Sequence, residues 1–324
     1  LTWDLGAEYA PVLSGIAAGV LVANSQLVVT SGNAAGIVVG FCLIAVWTFL
    51  KNRWVWAGIV CLAFALAIKP QISGLIWLFF LLAGGLHRKR ALQTLAATAI
   101  LSLPAVLWIS HVAPNWVAEI HTNMTVLSEL GGISPQAATA TTRPTMMVNL
   151  QIIGGFFHAD PRICALVVYL VCGVMLAIWI RATYLQLPSR RKDLLGLAAI
   201  SVLCMLPVYH RECDAKLLLL AIPACALLWA EGGRLGRYAA LVMSTVLVVI
   251  ADIPWVAGIS LVERADHWNL GAWRSLLHAL LILPAPLGLL LAAVFYLFAY
   301  VWRSRKVSLA AEQAEAVGLV TFSE

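Results

Sequence analysis

Two short stretches hold the side chains best able to do chemistry. One is Lys69-Pro70-Gln71, a cation at the break between two apolar runs. The other is Pro207-Val208-Tyr209-His210-Arg211-Glu212-Cys213-Asp214-Ala215-Lys216, where His210, Arg211, Glu212, Asp214 and Lys216 crowd one apex. Arginine grips an anion's oxygens as a bidentate fork, and lysine acts as a point charge. Histidine exchanges protons near neutral pH. Each stretch also has a plain reading. Lys69 could be a lysine snorkelling from a helix end, and the apex a hydrated turn with local ion pairs. Position decides between these readings, and position is set by the elements around them.

Those elements belong to a membrane. Of 324 residues, 62% are hydrophobic and only 11% charged, against about 25% charged in soluble domains. Mean hydropathy is +0.92. No water-soluble fold of this length has the interior to hide so much apolar surface. The runs are continuously apolar rather than alternating, which excludes a β-barrel. The fold class is therefore all-α, a polytopic transmembrane bundle. About ten segments are expected, at 11–29, 33–50, 54–68, 72–86, 91–112, 162–181, 194–209, 214–230, 238–257 and 275–302. The first is diluted by Ser14, Gly15, Gly19, Asn24, Ser25 and Gln26, as a re-entrant or interfacial piece would be.

Basic residues sort between alternate connections. Lys51, Arg53, Arg88 to Arg90, Arg181, Arg190 to Lys192, Arg234, Arg237, Arg303, Arg305 and Lys306 fall on one side. The other side has half as many: Lys69, Arg143, Arg162, Arg211, Lys216, Arg264 and Arg274. The positive-inside rule makes the richer side cytoplasmic. Residues 1–302 then form one transmembrane domain in the inner (plasma) membrane, with a cytoplasmic tail at 303–324. Tryptophans near both ends, such as Trp47, Trp54 and Trp302 against Trp108, Trp255 and Trp273, fit an aromatic belt. The long outward connection is about 113–161. It opens with an amphipathic helix at 114–127 and continues with a small, polar loop at 131–144.

This topology sets the depth of both stretches. Between Lys51 and Arg88 the chain crosses twice, in arms of about 17 residues or roughly 25 Å. A hydrocarbon core is ~30 Å thick. Lys69 therefore sits at or just below the outer headgroups, where a cation is costly without a polar partner. The hairpin between Asp193 and Glu231 is built alike and brings its charged apex to the same depth. Asp252, in an apolar run before Pro254, needs a cation or a cavity of its own. Glu263, Arg264, Asp266, His267 and Arg274 line a vestibule or are solvated.

Other chemistries are not signalled. Six of seven histidines (His111, His121, His158, His210, His267 and His278) are outward, without metal-ligand spacing. No cofactor is expected, although a divalent cation could assist. The seven cysteines read as small core residues. Neither a phosphate-binding glycine loop nor a nucleic-acid partner is indicated.

The ordered motifs resemble glycosyltransferase family 87, bacterial membrane enzymes of the GT-C superfamily. Ser31-Gly32-Asn33 opens an apolar run, and Trp56-Ala57-Gly58 and Ala67-Ile68-Lys69-Pro70-Gln71 follow a basic turn. Pro144 to Gln151 resembles the family's Asn-Leu segment, and Pro207 to Arg211 with Asp214 resembles its late hairpin. The likeness covers roughly residues 13–223. It implies a GT-C-like fold and a sugar donor carried on polyprenyl phosphate. Transfer would be to an acceptor glycan or lipid at the outer face. Lys69 and Arg211 would then meet the phosphate. His210, Asp214, Asn33, Gln71 and Asn149 would complete the substrate site. The resemblance also implies a carboxylate base in the first outward loop, and no such catalytic residue is identified. Asp4 and Glu8 count as cytoplasmic. The chain starts at Leu1, and the base is expected in a part preceding it. The competing reading is a secondary transporter or lipid-linked sugar flippase. Transporters usually show repeats and midplane charges, and this chain has neither. A non-catalytic scaffold is the third reading.

Overall fold

The structure is a computed structural model. It describes residues 1–23, 32–129, 148–153, 160–185, 189–208, 210, 212–250 and 284–321. Among these residues there are helices and turns and no strand. In chain order the helices are α1 (Thr2–Ala7), α2 (Pro11–Ala23), α3 (Ala35–Lys51), α4 (Val55–Ile68) and α5 (Pro70–Leu82). Then come α6 (Gly85–Val112), α7 (Trp116–Glu129), α8 (Pro161–Tyr184) and α9 (Arg190–Leu203). A 3₁₀ helix (Glu212–Leu220), α10 (Ile222–Glu231), α11 (Gly233–Ile250) and α12 (Pro284–Thr321) complete the set.

Five of these stretches are long and apolar enough to cross a membrane: Gly85–Val112, Arg162–Tyr184, Cys213–Glu231, Gly233–Ile250 and Pro284–Arg303. Four shorter apolar helices, α2 to α5, accompany them. The run expected at 214–230 is not one regular helix. It is 3₁₀ to Leu220 and α-helical from Ile222. The segment at 275–302 continues as helix through residue 303 to Thr321.

The middle of the bundle is the α9 hairpin and its return. Every residue from Lys192 to Leu203 is buried, as is every residue from Cys213 to Leu228. A helix apolar all round is one surrounded by protein or lipid, and here protein surrounds it. Helices α5, α8, α10 and α12 pack on α9, and α2 and α3 pack on the 3₁₀ helix. Lipid-type faces lie outside. Leu166, Leu170 and Val174 of α8, and Leu103, Leu107 and Trp108 of α6, are exposed. Such apolar area is tolerable only in an apolar solvent. Helix α7 forms at the site of the expected amphipathic helix, with Val117 and Ile120 exposed.

Close backbone approach fixes the α3–α4 hairpin. A Cβ on Gly58 would lie 2.0 Å from Thr48 Oγ1 and 2.8 Å from the Phe49 ring. Small residues at such crossings let helices meet without a hydrophobic driving force. Arg90 of α6 closes the basic end of α3. It donates to the Phe49 carbonyl at 2.7 Å and to the Asn52 side chain. A cation at a helix C-terminus satisfies orphan carbonyls and opposes the dipole.

Charges sort by end, as the sequence pattern requires. Lys51 pairs with Glu8 at 2.5 Å and Asp4 at 3.3 Å, and Arg190 reaches Glu8 at 2.9 Å. Glu231 is held by Arg191 and Arg303. All these cations come from the basic-rich connections. The Trp47 indole N–H, followed by Lys51, lowers the Asp4 carboxyl below its usual range. Burial pushes Glu8 upward, but Lys51 and Arg190 outweigh it and the net direction is down. At the opposite end of α2, Lys216 Nζ donates to the Leu21 carbonyl at 2.6 Å. Helix α2 thus runs between the two ends, and Asp4 and Glu8 stay at the basic one.

Asp193 opens α9 at that basic end. Burial raises its carboxyl to about 7, with Lys192 opposing, and His87 Nε2 is 3.8 Å away. The native state therefore keeps a proton that the unfolded chain releases near pH 4. Stability falls as pH rises from about 4 to 7 and levels off above. Asp193→Asn should raise the thermal midpoint by a few degrees at pH 8 and leave it unchanged at pH 4, measured by fluorescence in detergent. A second outcome concerns packing. Gly58→Ala should cost about 1–3 kcal/mol by overpacking. Gly74→Ala, which has open space around its Cβ position, should be neutral in the same denaturation assay.

Candidate functional site

Lys69 stands where the chain cannot remain helical. Proline at 70 removes an N–H donor and disfavours helix in the residue before it. Lys69 accordingly leaves helical geometry (φ −147°, ψ 74°), and Pro70 starts α5. The break leaves Lys69 at the far end of α4 from the basic turn. Its ammonium meets Asp214 Oδ1 at 2.5 Å. Asp214, in the first turn of the 3₁₀ helix, presents Oδ2 to His210 Nδ1 at 3.0 Å. Asp214 is 2% exposed and His210 fully buried, while the Lys69 side chain keeps 18% exposure.

A short strap lies against this hairpin. The Val148 N–H donates to the His210 carbonyl, and the Leu150 N–H to the Leu206 carbonyl, each at 3.0 Å. The Gln151 side-chain amide donates to the Pro207 carbonyl at 3.0 Å. The strap carries Asn149, 4% exposed. From the other flank, Asn33 Nδ2 donates to Cys213 Sγ at 3.1 Å. Its Oδ1 accepts from the Ala35 N–H at 2.9 Å and starts α3.

Four segments far apart in the chain thus meet at one end of the bundle: 32–33, 69–70, 148–151 and 206–216. Five of the expected site residues, Asn33, Lys69, Asn149, His210 and Asp214, belong to this assembly. Gln71 does not. It is exposed on the first turn of α5 and makes no hydrogen bond among the described residues. Arg211 lies outside the described residues, as do Asp252 and the charged stretch at 263–274. The structure adds Cys213, which reads in sequence as core but ties Asn33 to the hairpin. Its one sequence signal is its place inside the charged apex. It adds Gln151 as the strap's side-chain anchor.

The electrostatics are those of a neutralised buried triad. A buried carboxylate is stable only when paired and hydrogen-bonded. Asp214 receives one cation and one imidazole on separate oxygens. That arrangement uses one of the three Lys69 donors. In this cluster two side-chain atoms, His210 Nε2 and Asn149 Oδ1, are buried with no hydrogen-bond partner among the described residues. No set of three or more His, Cys, Asp or Glu side chains gathers as a metal site among the described residues. Two open clefts among the described residues lie elsewhere. One runs along α6 from Gly85 to Ala96, and the other along the start of α7 from Pro114 to Thr122.

These features define a helical membrane-type protein with a buried polar cluster at one end. No family model, no curated protein and no solved structure matches the chain. The functional reading therefore stands on its own residues.

Coupling within the triad is directly measurable. Lys69→Ala strands the Asp214 carboxylate and should cost about 3–5 kcal/mol. Adding Asp214→Asn should recover part of that loss, because the stranded charge is gone. Denaturation of both variants and the double variant checks this, and additive losses would contradict the coupling.

Proposed function

We propose that the chain is a membrane glycosyltransferase acting at the outer face of the plasma membrane. It moves a hexose or pentose, mannose-like or arabinose-like, from a polyprenyl-phosphate donor to an acceptor glycan or lipid. The observation that carries this reading is the meeting of Asn33, Lys69, Asn149, His210 and Asp214. They come from four of the five segments that resemble glycosyltransferase family 87. The cluster lies at the bundle end opposite Lys51, Arg190 and Arg303. The bundle crosses the membrane about ten times in a GT-C-like arrangement, with the C-terminus in the cytoplasm.

Chemistry follows from the groups present. Breaking the donor bond builds charge on phosphate oxygens, and preorganised cations in a dry site stabilise it. Lys69 has two N–H groups beyond the one on Asp214, and Arg211 supplies a fork. Asn33 and Asn149 offer neutral hydrogen bonds to a sugar. The donor's own phosphate bond drives transfer, so a nucleotide site is not required.

The test is transfer of label from polyprenyl-phosphate hexoses and pentoses in membranes containing the full-length gene product. Wild-type protein should transfer. Arg211→Ala, and Lys69→Ala in folded form, should each lose about 10²-fold in turnover. Unchanged turnover in both variants, or none in well-folded wild type with any donor, would overturn the reading.

A further inference from the structure

We propose that the cleft along the start of α6 binds an anionic phospholipid of the inner leaflet. Its phosphate rests on Arg88 and Lys89, and one acyl chain lies on the apolar face beyond them. The inference goes beyond the transferase reading and does not need it. It takes the basic end of the bundle as the cytoplasmic one.

The cleft has a volume of about 510 Å³ and is lined by Gly85, Arg88, Lys89, Leu92, Gln93 and Ala96. Residues at three- and four-residue spacing share one helix face. Its two cations have no carboxylate to meet. No Asp or Glu stands between Glu8 and Glu119 in the sequence. Carboxylates at the basic end are already engaged: Glu8 by Lys51 and Arg190, Glu231 by Arg191 and Arg303, and Asp193 faces His87. Neither Arg88 nor Lys89 has an ion-pair partner among the described residues. Cations near the start of a helix gain nothing from its dipole, so helix stability does not account for them. Arg88 is also held in place. Its Nε donates to the Leu81 carbonyl at 3.1 Å, which leaves the two terminal nitrogens of its fork for an anion.

The surface beyond the cations selects a lipid over a free anion. Leu92, Ala96, Ile100 and Leu103 continue the same face, and all four are exposed. From Leu92 to Leu103 the helix rises about 16 Å, half of a ~30 Å hydrocarbon core. A chain of one leaflet has that reach. Gln93 offers an amide between head and tail, at the level of glycerol ester carbonyls. Depth agrees as well. Arg90 ties Asn52 to α6, and the same turn carries exposed Trp54, a side chain suited to the headgroup layer. A zwitterionic headgroup brings its own ammonium to its phosphate. A net-anionic one leaves the phosphate to the protein, so two unmatched cations favour the anionic lipid.

Native mass spectrometry of the full chain in detergent reads the binding, with phosphatidylglycerol, phosphatidylcholine or inorganic phosphate added. Phosphatidylglycerol should bind about 20-fold more tightly than phosphatidylcholine. Arg88→Gln with Lys89→Gln should bring the two lipids within about twofold of each other. Arg234→Gln with Arg237→Gln removes the same charge from exposed positions on α11 and should keep the preference. Ala96→Trp fills the cleft without touching a charge, and should lose phosphatidylglycerol. Equal thermal midpoints in phosphatidylcholine show that each variant is folded. A wild type indifferent to headgroup would overturn the proposal. So would a preference that survives the Arg88 and Lys89 changes, or one that the α11 pair reduces equally, since either marks diffuse surface attraction. Inorganic phosphate that displaces the lipid at equal concentration, with Ala96→Trp unaffected, would overturn the lipid and leave a free-anion site.

Discussion

One carboxylate organises this end of the molecule. Asp214 is nearly without solvent, so its charge must be met by protein groups. They come from two directions, Lys69 across the bundle and His210 four residues back in the chain. Neither arrives by accident. The Lys69-Pro70 break stops α4 at the level of Asp214, and the Val148 N–H holds the His210 carbonyl from the strap. Removing any member leaves a charge or a polar atom buried alone, which makes this corner sensitive out of proportion to its size.

The rest of the bundle serves that corner by enclosing it. The α9 hairpin is buried from Lys192 to Leu206 and again from Cys213 to Leu228, so His210 and Asp214 are shielded from both lipid and water. Its return strand does not resume as one α-helix but passes through nine residues of 3₁₀ helix. Runs longer than three or four residues are uncommon for that geometry. The tighter winding places Cys213, Asp214 and Lys216 toward three different neighbours: Asn33, Lys69 and the end of α2. At the other end, Glu8 and Glu231 each bind two cations and hold α3, α9, α10 and α12 in register.

Much of this was legible in the residues. Hydrophobic run length located the helices within a few positions, and charge asymmetry separated the two ends. The crowded apex and the lone Lys69 were visible because charge in an apolar chain is costly. Their pairing was not legible, because 145 residues separate Lys69 from Asp214 and sequence carries no distance. Lys69 reads as a cation in need of a polar cavity or partner, and the partner it meets is Asp214. The resemblance of the Ala67–Gln71 run puts Gln71 at the site, as a neutral hydrogen-bonding group for a sugar. One residue into α5, the helix has already turned it outward. The 3₁₀ break escaped notice because Leu217 to Leu220 suits either winding.

The bond from Lys216 to the Leu21 carbonyl has a mechanical meaning. It fastens the end of α2 to the same 3₁₀ helix that carries Asp214. Rewinding that helix to ordinary α geometry would turn successive side chains by different angles and pull the ammonium off its carbonyl. Helix α2, only thirteen residues long, would keep the packing of its buried Ala17 and Leu21 but lose this polar tie. The position of the first apolar segment is thus tied to the winding of the helix that carries Asp214.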